Sequence, residues 1–143
     1  MKWIDMPPVW LLGALILARI GAGIGPLPAL QFSGTIFVAM GLIMILLAAW
    51  EFRRARTTII PRQAPSAIIR TGIFAKTRNP IYLGDALILL GAALYWGSIL
   101  GLVLVPVFMM LINKRFIEKE EALLRSTFLA EFDTYAQQVR RWL

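Results

Sequence analysis

"ALILLGAALYWGSILGLVLVPVFMMLI", residues 86–112, carries no charge over 27 positions. One crossing of a hydrocarbon core of roughly 30 Å takes about 20 helical residues, so the stretch is long for one span and short for two. Its flanks decide. Arg70, Lys76 and Arg78 precede it, and Lys114, Arg115 and Lys119 follow it. Basic flanks prefer the cytoplasmic side of a membrane, so both ends belong on one face and the chain turns back between them. Tyr95-Trp96-Gly97-Ser98 is the natural turn, with two aromatics for the far interface and a Gly to relax the backbone. Pro106 is expected to kink the returning helix.

The same accounting extends outward. Phe32–Trp50 is uncharged for 19 residues and is followed at once by Glu51, Arg53, Arg54 and Arg56. Val9–Ile24 is interrupted by Arg19 and by glycines, but Trp10 suits an interface and Gly25-Pro26-Leu27-Pro28 would end a helix. Arg19, close to the far end, can snorkel to headgroups. No small-residue cleavage site closes this first apolar stretch, so it is expected to stay in the mature protein. The proposed outer connections, around residues 25–31 and 95–98, contain no Lys or Arg, whereas nearly all of the 15 basic residues fall on the inner side. The expectation is an all-α, polytopic membrane helical bundle formed as a single domain over residues 1–143. It has about four transmembrane helices (9–24, 32–50, 81–96 and 98–116), a cytoplasmic loop (51–80) and a cytoplasmic tail (118–143), with both termini inside. In the tail Leu123, Leu124, Phe128, Phe132, Tyr135, Val139 and Trp142 recur among charges, which predicts an amphipathic helical region against the inner face.

Composition excludes much else. With 143 residues, 59% hydrophobic content and only 16% charge, the chain is not an ordinary soluble domain. A net charge of +7 beside apolar runs marks membrane flanks and contact with lipid headgroups, not nucleic acid. There is no Cys and no His. Disulfides, thiol nucleophiles, the usual zinc ligands and imidazole acid–base chemistry are therefore out, and no metal is expected. Chemistry must use carboxylates, Arg, Lys, Tyr or a cofactor.

The hairpin begins in a polar way, with "TRNPIYLGD" over residues 77–85. Asn79 can cap the helix, Pro80 suits its first position, and Asp85 complements the helix dipole. That is one reading: a well-made N-terminus. The other is a binding wall, since Gly72, Phe74, Arg78, Asn79, Tyr82 and Gly84 gather donors and aromatic faces, and an acid at the membrane edge can hold a cationic group. In the tail, Glu118, Glu120 and Glu121 are ordinary surface charge taken alone. The topology, however, brings them to the face where the loop ends.

"TGIFAKTRNPIYLG", then one membrane hairpin, then "EKEEALL" and "FLAEFDTYAQQVRRWL", resembles the isoprenylcysteine carboxyl methyltransferase and phospholipid methyltransferase superfamily of integral membrane enzymes. "RRARTTIIP" and "APSAII" upstream are similar to its small prokaryotic members. The resemblance implies S-adenosylmethionine as methyl donor. Carried over by position, Ser66, Ala67, Ile68, Ile69 and Phe74 line the cofactor pocket, Arg78, Asn79, Pro80 and Tyr82 close on it, and Glu120 meets its polar end. Glu121 completes the acidic pair as a catalytic residue. Many relatives have His where Asn79 stands, and Gly and Tyr where Leu129 and Phe132 stand. Some hold a substrate carboxylate with an Arg at the position of Phe116, which leaves Arg115, its neighbour, as the substrate-binding candidate.

The resulting expectation is a prokaryotic inner-membrane methyltransferase acting on a lipophilic or lipid acceptor that enters from the bilayer. Carboxylate or thiol methylation is favoured, because an ammonium headgroup must first give its proton to a Glu, Asp or Tyr. Phospholipid amine methylation is the alternative. A non-enzymatic helical bundle is the alternative of another class.

Overall fold

A computed structural model describes residues 6–23, 27–57 and 67–143 of the chain, so the expectation for Ser66 lies outside the described residues. Proline opens three of the helices, where its fixed φ suits the first turn and its missing N–H costs nothing. These are α1 (Pro7–Ile20), α2 (Pro28–Arg54) and α3 (Pro80–Tyr95). A short 3-10 turn, Gly72–Ala75, precedes α3. The chain continues through α4 (Ile99–Ile112), a π turn at Asn113–Ile117, and α5 (Glu118–Gln138). The described residues contain no strand.

The uncharged stretch folds back at the foreseen place. Gly97 takes a left-handed φ of 60°, and the Ser98 hydroxyl accepts the Gly101 N–H at 3.0 Å to start α4. α4 runs through Pro106. Two helical segments are long and apolar enough to cross a membrane: α2, and the continuous run that begins with α4 and passes through the π turn into α5. The apolar part of that run is α4, since α5 is rich in charge. α1 and α3 are apolar but shorter, at 14 and 16 residues.

After α4 the π turn inserts one wide turn and α5 follows directly. Asn79 occupies the N-cap position of α3, but its side chain caps nothing. Its amide instead donates to the Arg141 carbonyl at 3.0 Å, because the C-terminal residues reach the helix entrance first.

The most extensive helix pair is α2 against α3, and glycines set its distance. A Cβ on Gly41 would stand 2.5 Å from the Gly84 carbonyl oxygen, and one on Gly34 would stand 2.5 Å from that of Gly91. Each pair is seven residues from the next on both helices. The two antiparallel backbones therefore touch along a heptad seam, as in small-residue packing of membrane helices. Around this pair lie three apolar clusters. The largest includes Tyr82, Leu89, Phe108, Ile112, Phe116 and Ile117. A second holds Ala48, Ile69 and Phe74, with Phe52 and Ile81 against it. The third, Phe132, Tyr135 and Val139 with Ile68, ties the amphipathic tail to the loop.

Candidate functional site

Thr77, Arg78 and Asn79 approach α3 in a non-helical conformation that exposes their donors to the chain end. The Arg78 guanidinium donates from Nη1 to the carbonyls of Ala136 and Val139 at 2.9 and 2.8 Å, and from Nη2 to Glu121 Oε1 at 2.9 Å. Its backbone N–H donates to the Arg140 carbonyl at 3.0 Å. Thr77 and Asn79 both donate to the Arg141 carbonyl. These carbonyls belong to the end of α5 and the extended residues after it, which have no helical partner. The polar entrance of α3 thus satisfies the frayed end of α5.

Glu121 sits at the centre of the clamp. Its Oε2 accepts from Arg141 Nη2 at 2.5 Å, and its Oε1 accepts from Arg78 and from Arg141 Nε. Arg141 also donates to the Asn113 side-chain oxygen at 3.0 Å, which draws in the π turn. The hydrogen bond to Glu121 pushes the Arg141 pKa upward, so this guanidinium stays charged throughout. Beside the clamp an open cleft of about 410 Å³ is lined by Arg78, Met109, Met110, Asn113, Arg141 and Trp142.

Glu120, one residue earlier, points elsewhere. Tyr82 donates its hydroxyl to Glu120 Oε1 at 2.7 Å, joining α3 to the first turn of α5. The Phe116 ring lies 6.4 Å from that of Tyr82. Successive residues of a helix are about 100° apart, which sends one carboxylate into the arginine clamp and the other to the tyrosine.

The remaining expected residues divide. Ile69 and Phe74 are buried together, and the Phe74 ring meets Phe52 edge-on at 5.5 Å. Ile68, the residue before Ile69, packs instead against the tail cluster. Tyr135 of that cluster donates its hydroxyl to the Phe74 carbonyl at 2.7 Å, fixing the 3-10 turn to the tail. Burial pushes the Tyr135 pKa up to about 12, with Arg78 opposing and Glu121 adding to the shift. Pro80 is buried and Ala67 half-buried. Arg115 stands in the π turn between α4 and α5. It is exposed, and its guanidinium lies 5.1 Å from the centre of the Trp10 ring on α1. Arg141, Asn113, Thr77 and Tyr135 were not foreseen as part of this site. Thr77, Tyr135 and Arg141 lie in the stretches that carry the resemblance, but without the return of the chain they read as loop, apolar face and surface charge.

Among the described residues the fold is all-α, with two helices long and apolar enough to cross a membrane and a polar site where a helical hairpin meets the tail. Residues 30–131 match the model of the phospholipid methyltransferase family, and the chain belongs to that family. An uncharacterized protein of Haemophilus influenzae is 43% identical over 63 residues, a match covering 44% of this chain and 100% of the relative. No solved structure matches the chain.

Proposed function

We propose that the protein transfers a methyl group from S-adenosylmethionine to a lipophilic acceptor at the membrane. Family membership supports the reaction class. The observation that carries the site is the Tyr82–Glu120 hydrogen bond, which closes the start of α3 onto the start of α5.

The residues fit the donor. Ile69, Phe74 and Phe52 offer buried apolar and aromatic surface at the loop. Glu120 supplies an anion beside the Tyr82 and Phe116 rings, a setting that favours a sulfonium or an ammonium group. When bound, S-adenosylmethionine supplies an electrophilic methyl carbon. The chain's own part is to hold both reactants, exclude water and orient the attack, which accounts for much of the rate in such transfers. Arg78 and Glu121 serve this by fixing the tail over the α3 entrance. The proposed topology has four spans with both termini cytoplasmic; α1 and α3 cross as the shorter partners of α2 and α4. The acceptor then enters from the bilayer and the donor from the cytoplasm.

Titration calorimetry of the detergent-purified protein with S-adenosylmethionine tests the reading. Wild type should bind, and Glu120→Ala or Tyr82→Ala should weaken binding at least about tenfold, the scale of one lost charge-assisted hydrogen bond. Absence of binding by folded wild type would overturn it.

A further inference from the structure

Three carboxylates are buried among the described residues: Glu51, Asp85 and Glu121. Two of them are matched. Glu51 accepts the Thr71 hydroxyl at 2.6 Å, and Glu121 lies between Arg78 and Arg141. Glu120, half-buried, accepts from Tyr82. Asp85 alone of these has no hydrogen bond and no ion pair, although only 6% of its surface is exposed. A buried carboxyl with nothing to bond is costly, and in a membrane helix it marks a functional position. Among the described residues, the unpaired polar side-chain atom that is also sealed from solvent is Trp10 Nε1. The unpaired Asp85 oxygens therefore keep contact with open space.

Its place on α3 says which space. Asp85 is one helical turn beyond both Ile81 and Tyr82, and one turn before Leu89. Ile81 packs against the Ile69–Phe74 cluster, whereas Tyr82 and Leu89 belong to the cluster shared with Phe116 and α4. Asp85 thus stands on α3 between the cluster that fits the methyl donor and the cluster shared with α4.

We propose that Asp85 is the catalytic proton acceptor for an acceptor molecule that arrives with its nucleophile still protonated, an ammonium or a thiol. This rests on the methyltransferase reading above. In the step, the acceptor's N–H or S–H bond breaks and the proton passes to an Asp85 oxygen. The freed electron pair bonds the methyl carbon, and the old carbon–sulfur pair leaves with the donor's sulfur. Charge balances: the donor loses its positive charge, Asp85 its negative one, and the acceptor exchanges a proton for a methyl group. Asp85 then returns its proton to solvent. A lipophilic carboxylate has no proton to give and would set a second anion against Asp85, so the same residue rejects it.

The full chain in lipid nanodiscs, with wild type, Asp85→Asn and Asp85→Glu compared, tests this. The probes are dodecylamine, dodecanethiol and dodecanoate with methyl-labelled S-adenosylmethionine. Wild type should label the amine or the thiol, and which of the two is labelled identifies the nucleophile. Asp85→Asn should lower that labelling about a hundredfold, the usual scale of general-base catalysis, and Asp85→Glu should restore part of it. Affinity for S-adenosylmethionine should stay within about threefold in both variants, showing an intact fold. Labelling of dodecanoate, of no probe by donor-bound wild type, or of the accepted probe equally by Asp85→Asn would overturn the role of Asp85. Failure of wild type to bind the donor would instead remove the methyltransferase reading itself.

Discussion

Gly41 on α2 and Gly84 on α3 meet backbone to backbone: a Cβ on either would fall within 2.7 Å of the other's carbonyl oxygen. Because α3 carries Tyr82 and Asp85 beside this contact, the glycine seam sets where the site stands relative to α2. Gly84→Ala must push against both that carbonyl and Ile45, and overpacking of this kind costs roughly 1–3 kcal/mol. Thermal unfolding in detergent should show a midpoint several degrees lower. Gly13→Ala is the control, since a Cβ there meets nothing within 4 Å. Equal midpoints for the two variants would show that the helices are free to separate.

Glu121→Ala should release the tail. The carboxylate and Arg78 are both largely buried, with 12% and 13% of their side chains exposed. Removing one member of such a pair leaves the other uncompensated, at a cost of about 3–5 kcal/mol. The variant loses the acceptor shared by Arg78 and Arg141 and leaves Arg78 with only its bonds to the tail carbonyls, so limited proteolysis should cut it near the C-terminus faster than wild type. If cutting is unchanged, the clamp does not hold the tail.

Tyr135 gives the tail an alkaline limit. Its pKa is raised by burial from its ordinary value near 10 to about 12. A raised value means that the neutral hydroxyl is favoured in the folded state, so its contribution is complete below about pH 10 and is lost as pH climbs towards 12. The same ionisation removes the proton donated to Phe74. Wild type should therefore become protease-sensitive at the tail between pH 10 and 12, while Tyr135→Phe should be more sensitive at neutral pH and lack that step. A tyrosinate absorbance already complete at pH 10 would contradict the burial.

The hairpin was legible in the sequence because 27 uncharged residues between basic flanks admit one solution, and the Tyr82–Glu120 meeting follows from it. The glycine seam was open to reading too: Gly34 and Gly41 lie seven apart, as do Gly84 and Gly91, but the repeat is short and the pairing belongs to the antiparallel register, not to either segment. The Asn79 side chain shows a different limit. Local rules make it a cap, and a segment more than 60 residues away in sequence claims it instead. The Phe116 ring beside Tyr82 shows a similar limit: the π turn rotates the chain between α4 and α5, so the side of the chain that meets Tyr82 depends on one inserted residue.

Leu129 interrupts α5 with a left-handed φ of 39° and a ψ of −116°, a conformation that crowds the Cβ of any residue but glycine. The break turns the second half of α5 so that Phe132 and Tyr135 face the loop, while Arg125 and Asp133 bridge it with a 2.8 Å ion pair. The Leu side chain gains little there, being 69% exposed. Backbone strain of this kind costs of order 1–3 kcal/mol, and glycine relieves it while giving back part of the gain as unfolded-chain entropy. Leu129→Gly should therefore stabilise the protein by up to about 1 kcal/mol, and Leu129→Val, with its branched Cβ, should destabilise it. Unfolding midpoints of the two variants in detergent decide the matter. If glycine lowers the midpoint as valine does, the kink is not where the tail stores its strain.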